Sequence, residues 1–397
     1  MRWTLLAVGI VAAMGAAALT AAEDAAPLSA RLAVTLGDFR ALYGFPGATA
    51  AIVLPNGTLA TAATGLADVE SGRAMTPDTP MLAASVGKSF VAATALALET
   101  DGVLARDHLA AVYLGDRDWF ARLPNHDTMT VRDLLHHTAG LPDHVHMAPF
   151  AAEMATRVAA GADSLSPETA IDFVLDVEAL FPAGSGWSYT DTGYLLLGLV
   201  IEEVTGRSYY DLAAERLLDP LGLHATAPSD RRALPGLAVG YTAADNLFGM
   251  PPRTLDEAGQ LVWDPATEWT GGGLVSTSPD LARWGHLLFR GEAMATPYLD
   301  RLLDGVAVSA DAPGIRYGAG VAIYDDTLRG VVWGHGGWIP GYVSSLRYYA
   351  DHGVTVSFQI NTDIGIVDDS TDLVPALEAA LADLAIAHVG GESQVKP

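Results

Sequence analysis

The chain contains no cysteine, which excludes disulfides, thiolate nucleophiles and thiolate metal sites. Lysine is almost as scarce: arginine supplies nearly every positive charge, and only Lys88 and Lys396 are lysines. Positive charge as a whole is short, with 47 acidic against 22 basic residues and a net charge of -25. Such a balance repels nucleic acid and anionic membranes, so neither is an expected partner. No internal repeat and no low-complexity linker interrupts the 397 residues. A chain of that length that is 50% hydrophobic suits one large globular unit or two closely packed subdomains.

The first residues, Met1-Arg2, precede an uncharged apolar run from Trp3 to Leu19 and then Thr20-Ala21-Ala22 before Glu23-Asp24. A short basic start, an apolar core and small residues before a polar segment describe a secretory signal, with cleavage expected after Ala22. The competing reading is an uncleaved anchor. Both imply export, to the periplasm or the medium, and the lack of cysteine rules out a lipoprotein.

Apolar residues at Leu28, Leu32, Leu36, Phe39 and Leu42 predict a helix over 28–43. The runs Ala48–Leu54 and Thr58–Thr64, joined at Pro55-Asn56-Gly57, predict a β-hairpin. A helix opening at Ser85 and running to about Thr100 is rich in small residues, as a central buried helix would be. Helical and loop patterns dominate from 102 to 270, with helices around Val131–Leu135 and Tyr194–Ile201. After Ser276 a helix runs to Leu288, strands are expected at 316–324, 328–334, 342–349 and 353–360, and an amphipathic helix covers 371–387. Strands at both ends around a helical middle predict one antiparallel sheet built from the two termini.

Lysine, unlike arginine, can lose its proton inside a protein and act as a base. Lys88 stands three residues after Ser85, in Ala84-Ser85-Val86-Gly87-Lys88, a spacing that puts hydroxyl and amine on one helical face. That is the arrangement of a base-activated serine nucleophile. By itself it is also what a surface lysine following a serine looks like. Three other stretches bear on the choice. Ser188-Tyr189-Thr190-Asp191 lies just before a helix. Tyr189 could pass a proton between nucleophile and leaving group, or simply pack, and Asp191 could cap the helix. Gly334-His335-Gly336-Gly337 ends an apolar strand, where glycines let backbone N–H groups approach an oxyanion or merely make a turn. Gly271-Gly272-Gly273 invites a phosphate-loop reading but lacks the lysine that such a loop requires.

Taken in order, these stretches resemble the serine β-lactamase and penicillin-binding superfamily in its class C-like branch, which includes D-alanyl-D-alanine carboxypeptidases, D-aminopeptidases and carboxylesterases. Ser85 to Lys88 matches S-x-x-K, Tyr189-Thr190-Asp191 the Y-x-N element, and His335-Gly336-Gly337 the K-T-G or H-x-G element. The stretches 131–141, 193–206 and 219–223 match as well. The resemblance covers residues 30–385. It implies an α/β (α+β) fold of β-lactamase/transpeptidase type over 23–390, with a sheet subdomain (23–105 and 271–390), a helical subdomain (106–270) and a tail from 391 to 397. It further implies that Ser85 becomes acylated, that Lys88 and Tyr189 share the proton work, and that the N–H groups of Ser85 and Trp338 form an oxyanion hole. No cofactor and no metal is implied.

Three departures concern substrate. Asp191 stands for the usual asparagine, Gly336 for a hydroxyl-bearing residue, and His335 for a lysine. Each weakens the recognition of an anionic substrate by Asp191, His335, Gly336 and Gly337. Esters, amides and D-amino-acid peptides are therefore expected ahead of penicillins, with weak β-lactam hydrolysis as a side activity. A true β-lactamase or D-Ala-D-Ala carboxypeptidase is the alternative, and a non-catalytic binding protein on this fold the next. An α/β-hydrolase, suggested by Ala83 to Gly87, would need alternating strands and helices after its serine. A metal site at His136, His137, His144 and His146 lacks acidic ligands at recognisable spacing.

Overall fold

The computed structural model describes residues 27–395, so the expected signal (1–22) and Lys396 lie outside the described residues. The first helix, α1 (Leu28–Tyr43), buries Leu28, Leu32 and Leu36 and ends at Gly44 in the left-handed conformation. Strands β1 (Gly47–Val53) and β2 (Leu59–Asp68) form the expected hairpin, followed by the short β3 (Arg73–Ala74). Ser85 does not open a helix directly. It sits in a single 3-10 turn, Ala84–Gly87, and α2 (Lys88–Thr100) begins after it. In the middle of the chain α3 (Asp191–Thr205) is the longest helix among several short ones, and α4 (Ser278–Phe289) returns the chain to the sheet.

The sheet is then completed by β4 (Val306–Ala307), β5 (Ile315–Tyr317), β6 (Ala322–Thr327), β7 (Gly330–Ile339), β8 (Tyr342–Tyr349) and β9 (Val354–Ile360), before the last helix α5 (Leu373–Val395). Its order is β3-β2-β1-β9-β8-β7-β6-β5-β4, with every neighbouring pair antiparallel. Residues from the two ends of the chain meet where β1 pairs with β9, Ala48 opposite Ile360. Helices α1 and α5 cover one face, where Leu32, Leu36, Leu377 and Leu381 share a core with Ile52, Val356 and Phe358. On the other face lie α4 and, beyond it, α2, whose Phe90 ring stacks on Trp284 with centroids 4.2 Å apart.

Three expectations are corrected. The run 316–324 is two strands, because the chain bends at Gly318-Ala319-Gly320 to lie against α2. A Cβ at Gly320 would come within 2.7 Å of the Lys88 carbonyl oxygen. The strand expected at 328–334 runs on to Ile339, through the glycines. Finally, α5 continues to Val395, past the residue where a tail was expected. By length and composition α5 could cross a membrane, yet its Leu373, Leu377, Leu381 and Ala385 are buried in the core against the sheet.

One ion pair fastens α5 to the sheet behind the motif strand: Arg347 Nη2 of β8 lies 3.1 Å from Glu378 Oε1, both side chains largely buried. Removing the carboxylate leaves a guanidinium without its partner in a poorly solvated place. Glu378→Ala is expected to destabilise the protein by about 3 kcal/mol in urea unfolding, whereas Asp383→Ala, at the exposed pair with Arg329, shifts it by less than about 1 kcal/mol.

Candidate active site

The nucleophile turn is held in a conformation that an alanine rarely adopts. Ala84 has φ 49°, in the left-handed region, which costs about 1–3 kcal/mol and lasts only where surroundings enforce it. The glycine loop is one of those surroundings. Gly272 has φ 150°, and a Cβ there would strike the Ala84 carbonyl, while a Cβ on Gly87 would sit 2.9 Å from the Gly272 backbone. The run 271–273 thus serves backbone-to-backbone packing beneath Ser85. From the opposite side β7 presses on the same turn. A Cβ on Gly337 would meet Ala83, and Ser344 Oγ of β8 donates to the Ala83 carbonyl at 2.6 Å.

Lys88 is fully buried. Its Nζ donates to Ser85 Oγ at 3.2 Å and to the Gly271 carbonyl, and it forms an ion pair with Asp191 Oδ1. Burial by itself would push the amine down, but the Asp191 carboxylate outweighs it and holds the ammonium above its ordinary pKa. The Tyr189 ring lies 5.0 Å from Nζ. Burial pushes the Tyr189 phenol up to about 12, although Lys88 and Ser85 both pull it back.

Asp191 was expected to put a carboxylate, and so an added negative charge, near the pocket. It does line the cleft, but its carboxylate is engaged by Lys88, so the repulsion expected of it is largely cancelled. His335 is corrected more strongly. Its Nδ1–H donates to the Gly336 carbonyl, and its Nε2 accepts from Tyr317 Oη at 2.9 Å. Burial, then the nearby Lys88 charge, pushes its pKa down to about 3, so it is a neutral packed imidazole with no nitrogen left for a substrate carboxylate. Gly336 has room where a side chain could stand, since a Cβ would meet only Arg347 Nη2 at 3.7 Å and the Ser344 carbonyl at 4.0 Å. Trp338 lines the cleft beside Ser85, and its indole N–H donates to Asp363 Oδ2 at 3.1 Å. Ser85, Lys88, Tyr189, Asp191, His335, Gly336, Gly337 and Trp338 are therefore brought to one place.

The four histidines weighed as metal ligands are used separately. His136 sits between the carbonyls of Arg132 and Asp304 at 2.8 and 2.9 Å, and His144 lies 3.0 Å from Thr192 Oγ1. His146 is exposed. His137 packs its ring 4.3 Å from that of Tyr189 and accepts the Thr190 N–H at 3.2 Å, fixing the tyrosine's approach.

Sequence reasoning missed two carboxyl groups in the cleft. Asp143 follows the 131–141 stretch, and its Oδ1 accepts the Asp191 N–H at 3.2 Å. Burial and then the Asp191 charge raise its pKa to about 7. Glu268, four residues before the second glycine of the loop, is raised to about 7 for the same two reasons. No local spacing marks either one. The cleft has a volume of about 630 Å³, and its far wall is apolar: Phe150, Met154, Phe248, Met250 and Trp263.

A serine at the foot of such a cleft, in hydrogen-bond contact with a lysine and faced by a tyrosine, can be acylated by a carbonyl compound. Fold and site together have the architecture of the β-lactamase and penicillin-binding superfamily. The chain belongs to the Beta-lactamase family, whose model matches residues 32–381. It is 27% identical over 308 residues to penicillin-binding protein 4* of Bacillus subtilis, covering 75% of this chain and 64% of that protein. It is 27% identical over 331 residues to the D-aminopeptidase of Brucella anthropi, covering 82% and 58%. The chain thus spans roughly three fifths of the length of these two curated relatives. Among solved structures it is similar to a D-stereospecific amidohydrolase from Streptomyces sp., with 27% identity, a TM-score of 0.71, and coverage of 83% of this chain and 94% of that one.

The packing beneath Ser85 leads to a sharp expectation. Gly272→Ala forces the loop and the nucleophile turn apart, so labelling of Ser85 by a fluorophosphonate should slow at least tenfold. The control Gly259→Ala, at a turn where a Cβ meets nothing within 4 Å, should label at the parental rate even though its positive φ of 76° lowers the melting temperature.

Proposed function

We propose that the protein hydrolyses amides and esters of amine-bearing acyl groups, D-aminoacyl amides and short peptides with a free N-terminus above all, through an acyl-enzyme on Ser85. The observation that carries this reading is the charge of the cleft. Among the described residues that line it are four carboxyl groups, Asp143, Asp191, Glu268 and Asp369, and neither arginine nor lysine. Lys88, at the floor, is already paired with Asp191, and Arg347, behind Gly336, with Glu378. A penicillin or D-Ala-D-Ala carboxylate would enter without a cationic partner. An α-ammonium would find Asp143 and Glu268, and the apolar wall suits an aliphatic or aromatic side chain. The names of two of the similar proteins, a D-aminopeptidase and a D-stereospecific amidohydrolase, support the same chemistry.

In this reading Ser85 attacks the carbonyl, the N–H groups of Ser85 and Trp338 receive the oxyanion, and Tyr189 conveys a proton to the departing amine. Ser85→Ala should abolish turnover. Tyr189→Phe should lower kcat about 10²-fold with the melting temperature nearly unchanged; turnover at the parental rate would make Tyr189 a packing residue.

Charge selectivity gives the decisive measurement. Glu268→Gln and Asp143→Asn should each lower the ratio of kcat/KM for D-phenylalanine amide over p-nitrophenyl acetate by about 10- to 100-fold, the worth of a charge-assisted hydrogen bond. Because both carboxyl groups stand near 7, they are protonated below and charged above that pH. The parental KM for the amide should therefore rise as pH falls from 7 to 5. It should rise again above pH ~8 as the substrate's α-amine loses its proton. The neutral ester should show neither change in KM. If nitrocefin is turned over faster than every amide and ester tested, the protein is a β-lactamase and the charge argument fails.

A further inference from the structure

The surroundings of Lys88 raise a question about where the Ser85 proton goes. An ammonium has three N–H donors and no lone pair. Nζ donates to the Gly271 carbonyl and to Ser85 Oγ, and the Asp191 carboxylate stands against it in ion-pair contact. In this geometry Lys88 gives a hydrogen bond to the nucleophile and, as an ammonium, can receive its proton only after passing one of its own to another group. Tyr189 offers no alternative in the resting site, since its hydroxyl is neutral and buried. One group in direct contact with the cluster carries an available base: Asp191, at the position where the resembled family has an asparagine.

We propose that Asp191 is the terminal proton acceptor of a Ser85–Lys88–Asp191 relay, with Lys88 as a conductor and not the base. The proposal rests on the serine hydrolase reading of the site. An Nζ proton passes to Asp191 Oδ1, and the lone pair so freed turns to Ser85 and takes the Oγ–H proton as Oγ bonds to the substrate carbonyl carbon. The carbonyl π pair moves onto its oxygen. When the tetrahedral species collapses, the carbon–nitrogen or carbon–oxygen bond breaks. Asp191 returns its proton to Nζ, and Nζ gives one, by way of the Tyr189 hydroxyl, to the departing amine or alkoxide. Water then attacks the acyl carbon, its proton taking the same path, and Ser85 Oγ recovers a proton as the acid leaves. The site ends as it began, with an ammonium and a carboxylate.

An amide in place of Asp191 keeps an oxygen for Lys88 but cannot take the proton. Asp191→Asn is therefore the informative variant, assayed on p-nitrophenyl acetate and by the rate of fluorophosphonate labelling of Ser85. The expected result is a loss of at least 10²-fold in kcat/KM at pH 7 with KM within threefold. Activity should then climb about tenfold per pH unit above 7, because Lys88 must now shed a proton before it can serve as base, whereas the parent changes little over that range. The other titratable groups facing the pair, Asp143 and Glu268 from the cleft walls, His144, Tyr189 and Tyr194 from the helical side, and His137 and His335 behind, are common to both proteins.

A variant within threefold of the parent and with the same pH profile overturns the relay and leaves Asp191 as a clamp. Should the variant not fold, the parent decides alone. Its kcat in mixtures of H2O and D2O should follow a curved proton inventory, two protons moving together, and a straight line overturns the proposal. A parent that neither hydrolyses the ester nor labels at Ser85 overturns the hydrolase reading along with it, so the two failures are distinguishable.

Discussion

The ion pair between Lys88 and Asp191 sets the terms for the rest of the site. Lys88 is buried at the start of α2, where an unpaired ammonium would carry a desolvation penalty of several kcal/mol. Asp191, in the first turn of α3, removes most of it, and in doing so ties the helix that follows the nucleophile to the helix that follows the tyrosine. Two segments about a hundred residues apart are thereby brought into register by one electrostatic contact. The glycines of 271–273 complete the arrangement by letting a third backbone segment lie against Ala84 and Gly87 and offer the Gly271 carbonyl to Nζ.

Because that pair is internally neutral, the cleft takes its charge from elsewhere. Asp143 and Glu268 are too poorly solvated to be fully ionised at neutral pH, and the Asp191 charge raises both further. In the proposed function an arriving ammonium would relieve the strain on both, since an opposite charge lowers the pKa that burial raised. The same groups offer nothing to a carboxylate. Selectivity of this kind comes as much from the absence of a cation as from the presence of anions. His335 fits that account, being locked neutral between Tyr317 and the Gly336 carbonyl where the resembled family often has a lysine.

The parts of this site that follow a chemical rule could be read from the chain. Ser85 and Lys88 stand out because lysine is otherwise absent from the described residues and because three-residue spacing has a geometric meaning on a helix or 3-10 turn alike. The helix at 28–43 and the hairpin around Pro55-Asn56-Gly57 follow from periodicity and turn chemistry. Tertiary context decided the rest. The run 316–324 alternates like one strand, and only the approach of Gly320 to α2 shows why it bends. Glu268 has no neighbour in sequence that marks it; its significance arises from burial beside a charge that lies 77 residues earlier. Asp191 could be seen as a departure from a motif, but whether it faced substrate or lysine depended on a side-chain direction that spacing does not encode.

That direction bears on how a carboxylate can occupy this position at all. An asparagine there would hold Lys88 by one hydrogen bond and leave its proton affinity to be set by burial, which favours the neutral amine. An aspartate reverses the balance, holding the ammonium and weakening lysine as a base. A site that depended on a neutral lysine would therefore lose activity through this substitution. A site in which the carboxylate itself receives the proton would not, because the group that holds the ammonium is then also the acceptor. An Nζ that donates to Ser85 and Gly271 and lies in ion-pair contact with Asp191 is an ammonium, which accords with the second kind of site and has no lone pair for the first.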